Sequence, residues 1–278
     1  MRSITKIIEL VDISVPNIFI KYDAYQLLAD RVGLSRQALR THKDKIVSED
    51  IVHQFQSDLK DLIQGKPLHR ILGYRYFWKD KFELSYDTLE PRPDTETLIE
   101  VCLKYVSNKE TAYRILDLGT GSGCILASLL QEYPNAFGVG VDISQGALET
   151  ANTNADYLGI SDRVEWMQSD WLTNVQGKFD IIISNPPYIP SLDVQGLSEN
   201  VQAYDPLKAL DGGADGLDAY RQLAEQLPSI IKDNTLIILE IGYDQGESVP
   251  ALFKAHGYNI VTLEKDYGGN PRCLVLRK

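Results

Sequence analysis

The segment Ser184-Asn185-Pro186-Pro187-Tyr188-Ile189 holds the residues best suited to chemistry. It follows the apolar run Phe179–Ile183, whose length and isoleucine content predict a buried parallel strand. Two prolines stop that strand and stiffen the turn, because each fixes its own φ and lacks an N–H. Asn185 is left at the strand's carboxyl end, beside the Pro186 carbonyl, with the Tyr188 ring close behind. Two acceptors and a flat ring can hold a planar amino or amide group, where open α/β sheets bind ligands. The chemistry to expect is on a nitrogen.

A second set of residues lies upstream. Arg114–Leu118 reads as a strand that runs into Gly119-Thr120-Gly121-Ser122-Gly123 and then into a helix. Glycines there let the backbone turn sharply and let a ligand approach the main chain. Asp117 can accept a hydrogen bond from a ligand amino group. Asp142 ends the next strand, 23 positions beyond Gly119, where it can accept from two ribose hydroxyls. The glycine pattern is G-x-G-x-G, with Cys124 after it, and not the pyrophosphate fingerprint G-x-G-x-x-G. A nucleoside cofactor without pyrophosphate fits, and S-adenosylmethionine is the candidate. Ser169-Asp170-Trp171 follows a third strand, so Asp170 would accept from the adenine amino group and Trp171 would pack on the ring. Judged alone, those two residues fit a helix cap and a core tryptophan equally well. Their place after the earlier two elements, and before Asn185, predicts methyl transfer from S-adenosylmethionine.

These residues need a scaffold, and the chain changes character along its length. Residues 1–67 carry helical spacing and predict a small helical domain of four or five helices. Ile18, Tyr22, Tyr25, Leu28, Ala29 and Val32 share one face, and Ile51, Phe55, Leu59, Leu62 and Ile63 another. Residues 68–90 are rich in aromatics (Tyr74, Tyr76, Phe77, Trp78, Phe82, Tyr86) and predict a β-hairpin linker. Residues 91–278 alternate strand and helix. The predicted strands are Arg114–Leu118, Phe137–Asp142, Val164–Gln168, Phe179–Ser184, Leu236–Ile241, Asn259–Leu263 and Cys273–Leu276. Helices are predicted between most of them, at Cys124–Glu132, Gln145–Leu158, Ala219–Ile231 and Gly246–His256. Such alternation argues for an α/β fold with a mostly parallel, doubly wound sheet.

Composition narrows the function. The 278 residues are 44% hydrophobic and 24% charged, which suits a globular chain of one or two domains. A formal net charge of -11 disfavours bulk nucleic-acid binding, although His69, Arg70, Arg75 and Lys79 form a local basic run. Cys102, Cys124 and Cys273 are far apart in apolar sequence and predict buried free thiols rather than disulfides or a metal site. No apolar run approaches the ~20 residues that span a bilayer, and a cytoplasmic location is expected.

The chain resembles the HemK/PrmC family of protein-(glutamine-N5) methyltransferases. The resemblance rests on Pro67-Leu68-His69-Arg70-Ile71-Leu72-Gly73, Pro91-Arg92-Pro93-Asp94-Thr95-Glu96, Leu116 to Gly123, Asn185 to Ile189, Glu240-Ile241-Gly242 and Lys265 to Arg272. It implies a seven-stranded class I methyltransferase domain, Rossmann-like, with its last strand antiparallel, behind a helical domain that helps to grip the substrate. It implies S-adenosylmethionine held by Gly119, Thr120, Gly121, Ser122, Gly123, Asp142, Trp171 and Asn185. Asn185, Pro186, Pro187 and Tyr188 would hold the glutamine of the Gly-Gly-Gln motif in class-1 peptide chain release factors. Leu89 and Arg92 would stand at the substrate mouth, although Glu90 occupies a position where the family commonly has an apolar residue. No metal, membrane or direct nucleic-acid contact is implied. The rival readings are a glutamine methyltransferase acting on a ribosomal protein and an adenine-N6 nucleic-acid methyltransferase. In the reaction expected here, the Asn185 oxygen and the Pro186 carbonyl accept the two amide N–H groups and Tyr188 packs on the amide plane, with no strong base beside them.

Overall fold

A computed structural model describes residues 1–15 and 17–278. By its internal contacts the chain divides into two units, Met1–Gly73 and Tyr74–Lys278.

The first unit is built from helices α1 (Ile4–Ser14), α2 (Ile18–Arg31), α3 (Ala38–Thr41), α4 (Glu49–Ile63) and α5 (Leu68–Leu72), with a two-residue strand pair β1 (Arg2–Ser3) and β2 (Ile46–Val47). Helix starts are capped where the sequence allows: Asn17 Oδ1 accepts from the Phe19 and Ile20 amides, and Ser48 Oγ from Ile51. Its core gathers Ile4, Ile7, Leu27, Leu28, Phe55 and Leu59. The expected face of α2 is rotated. Ile18 and Tyr22 are 75% and 55% exposed, while Ala24, Leu27, Leu28 and Ala29 are buried. Tyr22 lies under the Arg36 guanidinium, 3.7 Å from its ring centroid, so its apolar face is covered without entering the core. Ile63 of α4 is likewise exposed, and Val52 takes a core position instead. Leu68–Leu72, expected in the hairpin linker, is helix, and it ends at Gly73 with φ +80°. The division between units therefore falls after residue 73, not after 67.

In the second unit the hairpin is confined to β3 (Tyr74–Phe77) and β4 (Asp80–Glu83). Helix α6 (Glu96–Tyr105) follows. The strands β5 (Arg114–Leu118), β6 (Phe137–Asp142), β7 (Val164–Gln168), β8 (Phe179–Ser184), β9 (Ile231–Glu240), β10 (Asn259–Lys265) and β11 (Pro271–Arg277) form one seven-stranded sheet. Between them run α7 (Cys124–Glu132), α8 (Gln145–Leu158), the short α9 (Ser191–Val194) and α10 (Glu199–Tyr204), α11 (Asp218–Gln226) and α12 (Ser248–Ala255). The sheet order is β10-β11-β9-β8-β5-β6-β7, and the last strand, β11, is antiparallel to both neighbours. The helix expected to reach Ile231 stops at Gln226, because Pro228 cannot donate to a continuing helix, and β9 begins at Ile231.

Alternate residues of the central strands point to opposite faces. Ile115, Ile181, Ile183 and Ile238 pack with Leu98 of α6 and Leu126 and Leu129 of α7. Leu116, Leu118, Ile182 and Ile237 pack with Tyr220 and Leu223 of α11 and Phe253 of α12. The three thiols are buried and free, and burial pushes those of Cys102 and Cys124 up to about 12. Among the described residues no helix is long and apolar enough to cross a membrane.

Candidate active site

Strands β5, β6, β7 and β8 are parallel and end at one edge of the sheet, with the order reversing at β5. The loops after them enclose a cavity of about 1020 Å³. Gly119, Thr120, Gly121, Ser122, Asp142, Asp170, Trp171, Asn185 and Pro187 line it, as do Leu89, Arg92 and Thr95 from the segment ahead of α6. Asp117, Gly123, Pro186 and Tyr188 do not.

The glycine loop is held from two sides. The Gly119 and Thr120 amides both donate to the Val141 carbonyl at 2.9 Å. The Gly121 amide, at φ +55°, donates to Asp142 Oδ2 at 2.9 Å, and the Ser144 amide to Oδ1 at 2.9 Å. Each Asp142 oxygen keeps a further lone pair for a ligand hydroxyl. Burial raises the Asp142 pKa despite those amide bonds. Gly123 starts α7 at φ +77°, against Trp166 and Ala151. Asn154, 1% exposed, completes the clamp: its Nδ2 donates to the Ser122 carbonyl at 2.9 Å and its Oδ1 accepts from the Glu83 amide at 2.7 Å.

Asp117 is fully buried behind Thr120, whose hydroxyl donates to its Oδ2 at 2.6 Å. Its Oδ1 meets no donor among the described residues. Burial pushes its pKa up to about 7, Thr120 opposes the rise, and Asp142 adds to it. Asp170 is exposed and starts no helix, which leaves its carboxylate at the cavity wall. Trp171 adopts φ +48°, a strained backbone for a bulky residue and a mark of functional sites.

The end of β8 is tied to β5 by Ser184 Oγ, which donates to the Leu118 carbonyl at 2.6 Å. Asn185 Nδ2 donates to Thr95 Oγ1 at 3.2 Å. Within the described residues nothing donates to Asn185 Oδ1 or to the Pro186 carbonyl. The Tyr188 backbone is secured by Gln245, whose Nε2 donates to its carbonyl at 3.0 Å. The ring of Tyr188 packs on the core, away from the cavity, and its hydroxyl donates to Glu240 Oε1 at 3.4 Å. A buried carboxylate therefore stands behind Tyr188, although it is no strong base for an amide nitrogen. Arg92 Nη2 bonds Asp205 Oδ2 at 2.5 Å, and Glu90 is buried with Arg75 as its partner. That ion pair accounts for a charge at position 90 where an apolar side chain was expected.

Thr95, Asn154 and Glu240 carry no signal by spacing alone. Thr95 and Glu240 sit in the quoted family segments without a role, and Asn154 lies mid-helix among polar residues.

Comparison with known proteins decides the family. Residues 94–200 match the methyltransferase small domain and residues 20–73 the PrmC N-terminal domain. A release factor glutamine methyltransferase of Rhodospirillum rubrum is 43% identical over 92% of this chain and 78% of its own length. One from Agrobacterium fabrum is 42% identical over 92% of this chain and 90% of its own. The chain belongs to the release factor glutamine methyltransferase family. The crystal structure of the ribosomal protein L11 methylase from Lactobacillus delbrueckii shares the fold, with a TM-score of 0.51 at 20% identity, covering 74% of this chain and 89% of that one.

The residues present fit the cofactor of that family, S-adenosylmethionine. The cavity is large enough to take a nucleoside cofactor with room to spare. Asp142 is fixed with acceptor capacity to spare, Asp170 and Trp171 stand together at the wall, and the glycine loop exposes backbone.

Proposed function

We propose that this enzyme methylates the side-chain amide nitrogen of the glutamine in the Gly-Gly-Gln motif of class-1 peptide chain release factors, releasing S-adenosylhomocysteine. The observation that carries the reading is the pair of unengaged acceptors, Asn185 Oδ1 and the Pro186 carbonyl, beside a fitted cofactor cavity. Bound S-adenosylmethionine supplies an electrophilic methyl on a sulfonium.

An amide nitrogen is a poor nucleophile, because its lone pair is delocalised into the carbonyl. Asn185 and Pro186 counter this by orientation. Each accepts one N–H of the glutamine amide, so the nitrogen is fixed with its lone pair toward the methyl donor. Such placement can supply up to about 7–11 kcal/mol. Both acceptors bind more strongly as positive charge develops on nitrogen, so they favour the transition state over the ground state. The methyl–sulfur bond breaks as the methyl–nitrogen bond forms, and the nitrogen then loses one proton to solvent. Tyr188 acts from behind, as an anchor of the loop, rather than as a stacking face. Leu89 and Arg92 shape the mouth, and the unit Met1–Gly73 contributes contacts to the body of the release factor.

The test is competition among substrates. The enzyme with methyl-labelled S-adenosylmethionine is offered a release factor, ribosomal proteins, and RNA or DNA. Label on the release factor alone is expected, and label on a ribosomal protein or on nucleic acid in its place contradicts the proposal.

A further inference from the structure

Glu240 ends β9, is 2% exposed, and has no part in the steps above. Its surroundings are drawn from four separate elements. The Tyr188 hydroxyl donates to Oε1 at 3.4 Å, while Oε2 meets no donor at hydrogen-bond geometry. The Thr95 hydroxyl faces the carboxylate and favours its ionised form. Arg272 of β11 approaches it too, itself held by Asp266 at 3.1 Å and lying 3.7 Å from Asp94. The Tyr220 hydroxyl donates to the Glu240 backbone carbonyl at 2.8 Å, and the Cys273 thiol is a further neighbour.

Thr95 is the link to the site. Its oxygen accepts from Asn185 Nδ2 at 3.2 Å, and Thr95 is also the side chain that most favours the ionised form of Glu240, whose Oε1 accepts from Tyr188. We propose that Glu240 is a positioning residue for methyl transfer, drawing the hydroxyl hydrogens of Thr95 and Tyr188 to itself. Thr95 then presents a lone pair to Asn185 Nδ2, and the Asn185 oxygen is left to face the substrate amide. This role rests on the glutamine-methylation reading.

An ionised carboxylate only accepts, whereas a protonated one donates and competes for the Thr95 oxygen. Burial pushes the Glu240 pKa up to about 7 against Thr95, Arg272 and Tyr188, with Asp94 adding to the rise. The active form is the ionised one, so positioning improves as pH rises through that value. Glu240→Gln keeps the shape but carries an amide donor, and so mimics the protonated state at every pH.

The experiment measures kcat and KM for a release factor, and the dissociation constant of S-adenosylmethionine, across about pH 5.5 to 9. Above neutrality E240Q should lower kcat by about 10–100-fold, with KM and cofactor affinity within about twofold of wild type. The ratio of wild-type to E240Q kcat should shrink as pH falls below about 6, as expected if wild-type Glu240 becomes protonated. Taking the ratio cancels the titration of Asp117, which shares this range. Should E240Q fail to fold, Thr95→Val should show the same loss in kcat and Thr95→Ser should restore it. A ratio that stays constant with pH, or T95V turning over at the wild-type rate, overturns the proposal. An inert wild type contradicts the functional reading and this proposal with it. An active wild type matched by E240Q contradicts the positioning role alone.

Discussion

Asn185 Nδ2 meets Thr95 Oγ1 at 3.2 Å across 90 residues of sequence, and this contact fixes which way the Asn185 amide faces. The nitrogen end is engaged by the protein, and the oxygen end is the one left for substrate. Asn185→Ala removes that oxygen. It should lower kcat by about 10²–10³-fold, the usual cost of deleting one transition-state hydrogen bond. S-adenosylmethionine affinity should stay within severalfold of wild type, as measured by titration calorimetry.

Asp142 joins the ends of β6 and the glycine loop through the Gly121 and Ser144 amides, both at 2.9 Å. Asp142→Asn keeps the size but loses the charge and one acceptor. Cofactor binding should weaken by about 10–100-fold, the range for hydrogen bonds to a charged group. KM for the release factor measured at saturating cofactor should hardly change.

Gly123 has φ +77°, and an added Cβ would meet Trp166 at 2.9 Å and the Ala151 Cβ at 3.1 Å. Gly123→Ala therefore combines backbone strain with a tight contact, and should destabilise the fold by about 1–3 kcal/mol. Denaturant unfolding checks this, and a variant as stable as wild type would contradict it.

Much of this arrangement was legible in the chain. Strands β5, β6 and β8 lie where their largely apolar runs do, because strands buried on both faces read as near-continuous apolar runs, whereas the edge strand β7 is only half-buried. The glycine loop, Asp142 and Asn185 follow from strand ends alone. Other features depend on packing partners distant in sequence. Tyr22 has the spacing of a core residue, yet Arg36 covers it at the surface. Tyr188 has the type of a stacking residue, yet Glu240 draws its hydroxyl inward. Asp117 reads as a cofactor ligand, yet Thr120 stands between it and the cavity. None of these partners lies where periodicity would point.

Burial raises the Asp117 pKa to about 7, well above the usual carboxylate range, so the fold favours its protonated form. Its contribution to stability is full below the unfolded value and is lost as pH rises through about 7. Against burial, Lys109, Lys79 and Trp78 hold Glu132 down to about 2, so its contribution is lost only in acid, outside this window. The melting temperature of the cofactor-free enzyme should therefore fall between about pH 4 and 7, with Glu240 adding to the fall, and Asp117→Asn should flatten it by a few degrees. An unchanged slope in the variant would count against it.

Arg92 is held by Asp205 at 2.5 Å, and the Glu90 amide donates to the same carboxylate at 3.4 Å. This joins the mouth to the segment Pro206–Ala209 that also lines the cavity. Arg92→Ala and Asp205→Ala should each raise KM for the release factor by about 3–30-fold, and the double variant should be no worse than the stronger single one. Additive effects would show that the two side chains act separately.

The central claim is methyl transfer to one glutamine nitrogen. It is tested most directly by incubating the enzyme with methyl-labelled S-adenosylmethionine and a release factor carrying either Gln or Ala in its Gly-Gly-Gln motif, then mapping the label by mass spectrometry. The account predicts one methyl on the amide nitrogen of that glutamine and none on the Ala variant. Label on the Ala variant, or on neither protein, would contradict it.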